Sequence, residues 1–334
     1  MVTIRKILTF LLKPILVLNR LPAFKLTKKT YFASFGIFSA IAVLLGISLI
    51  VYLLKLNFPS FGNYEEYWLL IIPFWMVVMS KLFHIVVTGS AFWKHPLEQL
   101  RSTTFYAQGG IIGGFIGFIN YAWVTNIPFT VIIDIGFIAG CLALAIGRLG
   151  CYNYGCCHGL PTKGKFYVTY ENRRSKVLRI HPELKGVHLY PTQLVSSLFN
   201  FLLFMALLIV YQNITKSGII GSLGLVLYSV FRLCISRFRS NDDEKIAVVK
   251  ENKIFFRTAI SFIIASFAIL IYMLLFPTYQ YTHSTNIGWR TFNDLVIQDS
   301  FIFLYCYRGI YLPNCLWNPS GQAGKAFLKT TSTP

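Results

Sequence analysis

The sequence is short of charge. Only 13% of its 334 residues are charged, against ~25% in an average soluble domain, which excludes a globular protein wetted on every side. Acidic residues are the scarcest, at 12 against 31 lysines and arginines. No internal repeat is evident, and polar residues are not spread through several apolar runs, which counts against a transporter. Cysteine pairs at the spacing of a structural zinc site are also missing. Cys151, Cys156, Cys157 and His158 stand close together, but adjacent cysteines rarely serve one tetrahedral ion, so no metal is assigned. The first nineteen residues hold a short apolar run broken by Lys13-Pro14 with no small-residue cleavage pattern, so no cleavable signal peptide is expected.

What the chain does have is apolar length. Hydrophobic residues make up 55% of it, in runs of about twenty, enough to cross a ~30 Å hydrocarbon layer as helices. Backbone groups in lipid must be satisfied internally, so the expected fold is an all-α polytopic membrane protein of about seven transmembrane helices. The spans are placed at 32–54, 68–87, 109–124, 129–146, 194–211, 219–235 and 260–276. Together, 32–276 form the membrane domain. Residues 1–31 are a basic amphipathic segment, expected as an interfacial helix lying on an anionic leaflet. Residues 150–193 form a small extramembrane cap, β-rich where Phe166 to Tyr170 look strand-like. The tail 277–334 has no assigned role.

The net charge of +19 does not point to nucleic acid. The basic residues sit between apolar runs, where lipid head groups and the positive-inside bias account for them. Four inter-span segments, 1–31, 88–107, 148–193 and 236–257, fall on one side and carry most of the Lys and Arg. By that rule their side is cytoplasmic.

Two arginines stand out because each ends an apolar run, Arg148 and Arg232. An arginine fork suits a phosphodiester and keeps its charge when partly desolvated. Arg148 opens the densest stretch of the chain, Gly147-Arg148-Leu149-Gly150-Cys151-Tyr152-Asn153-Tyr154-Gly155-Cys156-Cys157-His158-Gly159. Glycines at this density imply a sharp turn or a close approach. Gly109, Gly110, Gly113, Gly114 and Gly117 open the third span as a small-residue stripe, suited to close helix packing or to a lipid. Lys81 shares a helix face with His84. It either snorkels to the interface or lines a head-group site.

These pieces, in this order, resemble the bacterial prolipoprotein diacylglyceryl transferase family. The segments are Ser80-Lys81-Leu82-Phe83-His84, His95-Pro96-Leu97, Gln108-Gly109-Gly110-Ile111-Ile112-Gly113, Asp134, Gly147-Arg148-Leu149-Gly150, Tyr190-Pro191-Thr192-Gln193-Leu194, and Tyr228-Ser229-Val230-Phe231-Arg232 followed by Arg239. The resemblance implies a seven-helix enzyme of the bacterial inner membrane that moves diacylglycerol from phosphatidylglycerol to the lipobox cysteine thiol of a preprolipoprotein. It implies that Arg148 and Arg232 are the essential arginines, and it implies no cofactor. Gln108, Gly109, Gly110, Gly150, Arg239 and Lys81 then join both arginines as candidate phospholipid contacts. The family is drawn with its N-terminus outside, opposite to the charge rule, so orientation stays open.

The departures bear on the chemistry. Gln108 stands where the family has histidine, Cys151 where it has asparagine, and Cys156 and Ser236 where it has glutamates. Thiol activation needs a base or a lowered thiol pKa, and His158 and His188 are the candidates, with Cys156 or Cys157 as thiolates behind them. The competing reading is a lipid-binding or assembly protein on the same fold that has lost the chemistry. A transferase with another acceptor is a further alternative.

Overall fold

The computed structural model describes residues 18–25, 31–58, 60–89, 107–240, 260–261, 263–275, 279–281 and 316–317. The helices are α1 (Phe35–Asn57), α2 (Asn63–Trp68), α3 (Ile71–Thr88), α4 (Ala107–Thr125), α5 (Phe129–Tyr154), α6 (Lys176–Ile180), α7 (Thr192–Asn213) and α8 (Ile219–Ser236), with a further apolar helix α9 (Ile263–Leu275). Five segments are long and apolar enough to cross a membrane, α2 and α3 counting together as Tyr64–Val86, and α4 and α9 are shorter apolar helices. These elements fall on all seven expected spans. Residues 1–17, the His95-Pro96-Leu97 motif, most of the 236–257 loop and the tail's Cys306 and Cys315 lie outside the described residues.

The N-terminal segment differs from expectation where it is described. In place of a helix it has a 3-10 turn (Leu18–Arg20) and strand β1 (Ala23–Lys25). This strand pairs antiparallel with β2 (Tyr31–Ala33), which pairs in turn with β3 (Leu316–Trp317). The cap also differs. Val168 and Tyr170 point inward and Tyr167 outward, so the alternation holds over these residues, but Phe166, on the face of Val168 and Tyr170, is exposed. Among the described residues the cap's backbone bridges are Pro161 and Val168 to Leu189 and Gly159 to Arg239, and single bridges do not make a ladder. A small apolar cluster of Tyr152, Val168, Tyr170, Val177, Leu178 and Leu189 holds the cap onto the end of α5.

Helix directions follow from who touches whom. On α1, Gly46 packs against Ala143 of α5, while Phe38 near the start of α1 lies over Gly150 near the end of α5. The two helices are therefore antiparallel. Ser197 at the start of α7 donates to Ala145 O late in α5, at 2.7 Å. The turn at Asn126, whose φ of 55° is left-handed and tolerated by asparagine, reverses α4 into α5. The bundle runs up and down, and the late turns of α5 and α8 share an end with the starts of α1, α4 and α7.

The glycine stripe of α4 is a packing seam on one edge. Gly109, Gly113 and Gly117 meet the α3 backbone at Met79, Trp75 and Ile72 in turn, and a Cβ on Gly117 would lie 2.7 Å from Ile72 Cα. Gly110 faces open space. Close approach of backbones is what such a stripe contributes in lipid. Gly113→Leu should force α3 and α4 apart and destabilise the detergent-solubilised protein by about 1–3 kcal/mol or more. Gly140→Ala, where a Cβ meets nothing within 4 Å, should be neutral or slightly stabilising. Thermal unfolding of the two variants side by side checks the pair.

Asp134 fixes the register of α5 against α8. It is fully buried, and its carboxylate accepts the backbone N–H groups of Gly218 and Gly221 at 2.6 Å each. A carboxylate at a helix N-terminus meets both the orphan donors and the positive end of the dipole. Tyr281 adds a hydroxyl donor at 2.7 Å. The tail residues around it pair with the α7–α8 connection, through Ser217 N to Tyr279 O and Tyr281 N to Thr215 O. Nothing in the tail's sequence signalled this.

Candidate functional site

Asp134 and Gly218 are each fourteen residues before an arginine on the same helix, Arg148 on α5 and Arg232 on α8. At 1.5 Å per residue both arginines lie roughly 21 Å along parallel helices from the shared carboxylate contact. The clamp at one end thus sets them level at the other. Both lie at least a turn before the C-termini of their helices.

The arginines meet. Arg148 lies in electrostatic reach of Cys151, Cys157, Tyr228 and Cys156, and Arg232 in reach of Arg239, Arg148, Tyr228 and Cys157. Three cations therefore converge, with repulsion between them that a bound anion would relieve. Tyr228 was not among the expected residues. Its position, one turn before Arg232 in Tyr228-Ser229-Val230-Phe231-Arg232, puts it on the arginine's face, so the spacing carried the signal.

The glycine-rich stretch after Arg148 does not turn where expected. Helix α5 continues through Gly147 and Gly150 to Tyr154. Gly150 serves a close approach, since a Cβ there would lie 2.8 Å from Phe38 Cβ. The turn comes at Gly155, left-handed at φ 80°, with its N–H on Cys151 O at 2.9 Å, the usual way for glycine to end a helix.

Beyond Gly155 the chain threads between two clamps. On one side, Thr192 Oγ1 donates to Cys157 O at 2.8 Å and Gln193 Nε2 donates to Cys156 O at 2.9 Å. That gives the Tyr190-Pro191-Thr192-Gln193-Leu194 motif its work. On the other side, Leu160 N donates to Phe238 O at 2.9 Å and Ser240 N to His158 O at 3.0 Å. Gly159 lies against the Tyr190 backbone so closely that a side chain would not fit. This pairing carries Arg239 into the site, where its Nη2 donates to Cys157 Sγ at 3.0 Å.

Three cysteines therefore share the arginine site. The Sγ atoms of Cys151, Cys156 and Cys157 all lie within 4.8 Å of one another. Hydrogen bonds from Cys151 and Cys156, with Arg239 and Arg148 nearby, hold the Cys157 thiol well below its ordinary pKa. Donation to Cys151 and Cys157 pushes Cys156 well above it. A thiol held low is more fully thiolate near neutrality. In metal-free protein at pH 7, iodoacetamide should therefore label Cys157 before Cys156, and Arg239→Ala should slow the labelling. Peptide mapping by mass spectrometry reads both.

The remaining expected residues divide. His158 is 2% exposed, with Nδ1 at 3.0 Å from Gly159 O. It adjoins the cysteine loop without joining the sulfur cluster. His188 is exposed and stacks on Tyr167 in the cap, ring centroids 3.6 Å apart. Gly109 belongs to the α3–α4 seam, and Gly110 opens away from it. Lys81 is half-buried on α3, one residue beyond Ser80, which meets Gly109, so it is at the arginine end of the bundle. The side chain of Gln108 lies outside the described residues.

Comparison with known proteins gives the family. The sequence profile of the family described as prolipoprotein diacylglyceryl transferase matches residues 22–274. The chain is similar to the phosphatidylglycerol–prolipoprotein diacylglyceryl transferase of Clostridium tetani, 30% identical over 179 residues that cover 53% of this chain and 69% of that protein. The protein of the same name from Dehalococcoides mccartyi is 29% identical over 167 residues, 50% of this chain and 62% of the relative. That from Finegoldia magna is 27% identical over 214 residues, 62% of this chain and 79% of the relative.

Proposed function

The chain belongs to the prolipoprotein diacylglyceryl transferase family, and from that premise we propose that it transfers a diacylglyceryl group from phosphatidylglycerol to the lipobox cysteine thiol of a prolipoprotein in a bacterial inner membrane. The observation that carries the reading is the convergence of Arg148, Arg232 and Arg239 at the shared end of two parallel apolar helices. A phosphodiester at the depth of lipid head groups is the anion such a cluster suits.

Arg148 and Arg232 hold the donor phosphate and stabilise the charge that grows on the departing glycerol phosphate. Tyr228 shares their face. Arg239 reaches the same site from the strand-like segment after α8. Gly110 and Lys81, at the same end of the bundle, belong to the surface along which the diacylglyceryl chains approach, while Gly109 and Gly150 act through helix packing. Asp134 is a positioning residue, since it fixes the arginines without touching the lipid. His158 and His188 are the weaker half of the expected set, one enclosed beside the loop and the other stacked in the cap.

The chain should restore lipoprotein modification in a bacterial strain depleted of its own transferase, read as the added diacylglyceryl mass on a lipoprotein peptide. One second reading has its own support. Gln108, Cys151, Cys156 and Ser236 stand where the resemblance placed a histidine, an asparagine and two glutamates, which favours a lipid-binding protein without chemistry. Phosphatidylglycerol binding with no added mass in the depleted strain would select that reading.

A further inference from the structure

The cysteines that replace the expected polar residues have a geometry of their own. Neighbouring side chains in extended chain point to opposite faces, so Cys156 and Cys157 would ordinarily diverge. Cys157 instead has φ 56°, left-handed for a residue with a Cβ, a conformation retained only where the surroundings enforce it. The surroundings here are the two clamps. The carbonyls of Cys156 and Cys157 are held by Gln193 and Thr192, and the Gly159 and Tyr190 backbones are pressed together. The outcome is three sulfurs, from the last turn of α5 and the loop after it, mutually within 4.8 Å.

That spacing suits one ion. Thiolates about 2.3 Å from a tetrahedral zinc lie roughly 3.8 Å from one another. Charge agrees as well. Three thiolates and a divalent cation leave one net negative charge, and Arg148 and Arg239 stand beside it. Arg239 already donates to Cys157 Sγ, the kind of outer hydrogen bond that orients a metal-bound thiolate. Three protein ligands leave the fourth position open, the pattern of a catalytic site rather than a structural one.

We propose that Cys151, Cys156 and Cys157 bind one thiophilic divalent cation, zinc by preference, whose open position takes the acceptor thiol. This rests on the transferase reading for its chemistry. The acceptor thiol gives its proton to water as its sulfur enters the open position. The sulfur then attacks the diacylglyceryl carbon bonded to the phosphate oxygen. The C–S bond forms as the C–O bond breaks, and the electron pair leaves on the oxygen of glycerol phosphate, beside Arg148 and Arg232. Among the described carboxylates, Asp134 caps the far end of α8, Glu66 pairs with Lys55, Glu65 accepts from Gly62 N, Glu183 pairs with His181 in the cap and Glu171 lies against Gly186 in the cap. A bound cation supplies the thiol activation that a carboxylate or histidine supplies elsewhere.

The test uses the full chain purified in detergent without chelators. Elemental analysis should give about one zinc per chain, falling at least about tenfold in Cys151→Ser and in Cys157→Ser. Cobalt exchanged into the wild-type protein should produce thiolate-to-metal absorption, and a lipobox peptide should shift it where the same peptide with serine for cysteine does not. Wild-type protein that takes up neither zinc nor cobalt, with three free thiols or a disulfide among them, overturns the site without recourse to variants. Bound metal with no response to the peptide overturns the open position. Transfer from phosphatidylglycerol is assayed on the same preparation. Full transfer by metal-free protein overturns the cation's role and leaves the transferase reading standing, whereas bound metal without transfer supports the site and defeats that reading.

Discussion

Arg148→Ala and Arg232→Ala should each abolish diacylglyceryl transfer from phosphatidylglycerol, lowering the rate by about 10²–10³-fold or more. Removing one preorganised donor aimed at a developing anion costs that much in other enzymes, and here each substitution removes a full charge together with a planar fork. In the proposed site the two arginines act on one phosphate from separate helices, so neither would replace the other. Arg232→Lys should recover only a fraction, because an ammonium keeps the charge and loses the two parallel donors. Arg239→Ala should cost less than either, since Arg239 is engaged with Cys157. The measurement is initial rate with a lipobox peptide and phosphatidylglycerol in mixed micelles, with each variant's fold confirmed by thermal unfolding. Full activity in Arg148→Ala or Arg232→Ala would sink the proposed site.

Asp134→Ala should be the most destabilising single change within the membrane body, although it lies some 21 Å from the arginines. It leaves three donors behind in a buried place: Gly218 N, Gly221 N and the Tyr281 hydroxyl. Each orphaned buried donor costs about 1–3 kcal/mol. Tyr281→Phe removes one donor and leaves the carboxylate with the other two, so it should cost only about 0.5–1.5 kcal/mol. Activity separates positioning from folding. Below its lowered melting temperature Asp134→Ala should show reduced turnover and weaker phosphatidylglycerol use, because α8 and Arg232 are no longer held in register with α5. Stability within error of wild type would refute the clamp.

The apolar helices were legible because lipid imposes one demand everywhere, an apolar stretch with its backbone bonded to itself, which five segments meet at full length and α4 and α9 in shorter form. The two arginines were legible for the same reason, as charges that hydrocarbon tolerates only with a purpose. Short-range spacing also told what it could. Tyr228 and Arg232 share a face by helix geometry alone, and Gly109, Gly113 and Gly117 form a stripe whichever partner they find.

Tertiary structure decided the rest, because the remaining questions concerned distances between residues far apart in the chain. The sequence assigned the stripe to packing or lipid, and the backbone of α3 against Gly109 and Gly117 gave packing on that face. The aspartate in the fourth span had no evident role until it met the start of α8 and a tyrosine from the tail, more than eighty residues away in either case. Adjacent cysteines argued against a shared site, since an extended chain turns them apart. A left-handed residue at Cys157, held by hydrogen bonds from α7 and pairing with the segment after α8, turns them together. Composition and spacing determined that this chain is a polytopic membrane protein and singled out Arg148 and Arg232. Contacts between distant segments decided what stands beside those arginines, because no local pattern records where a loop is pinned.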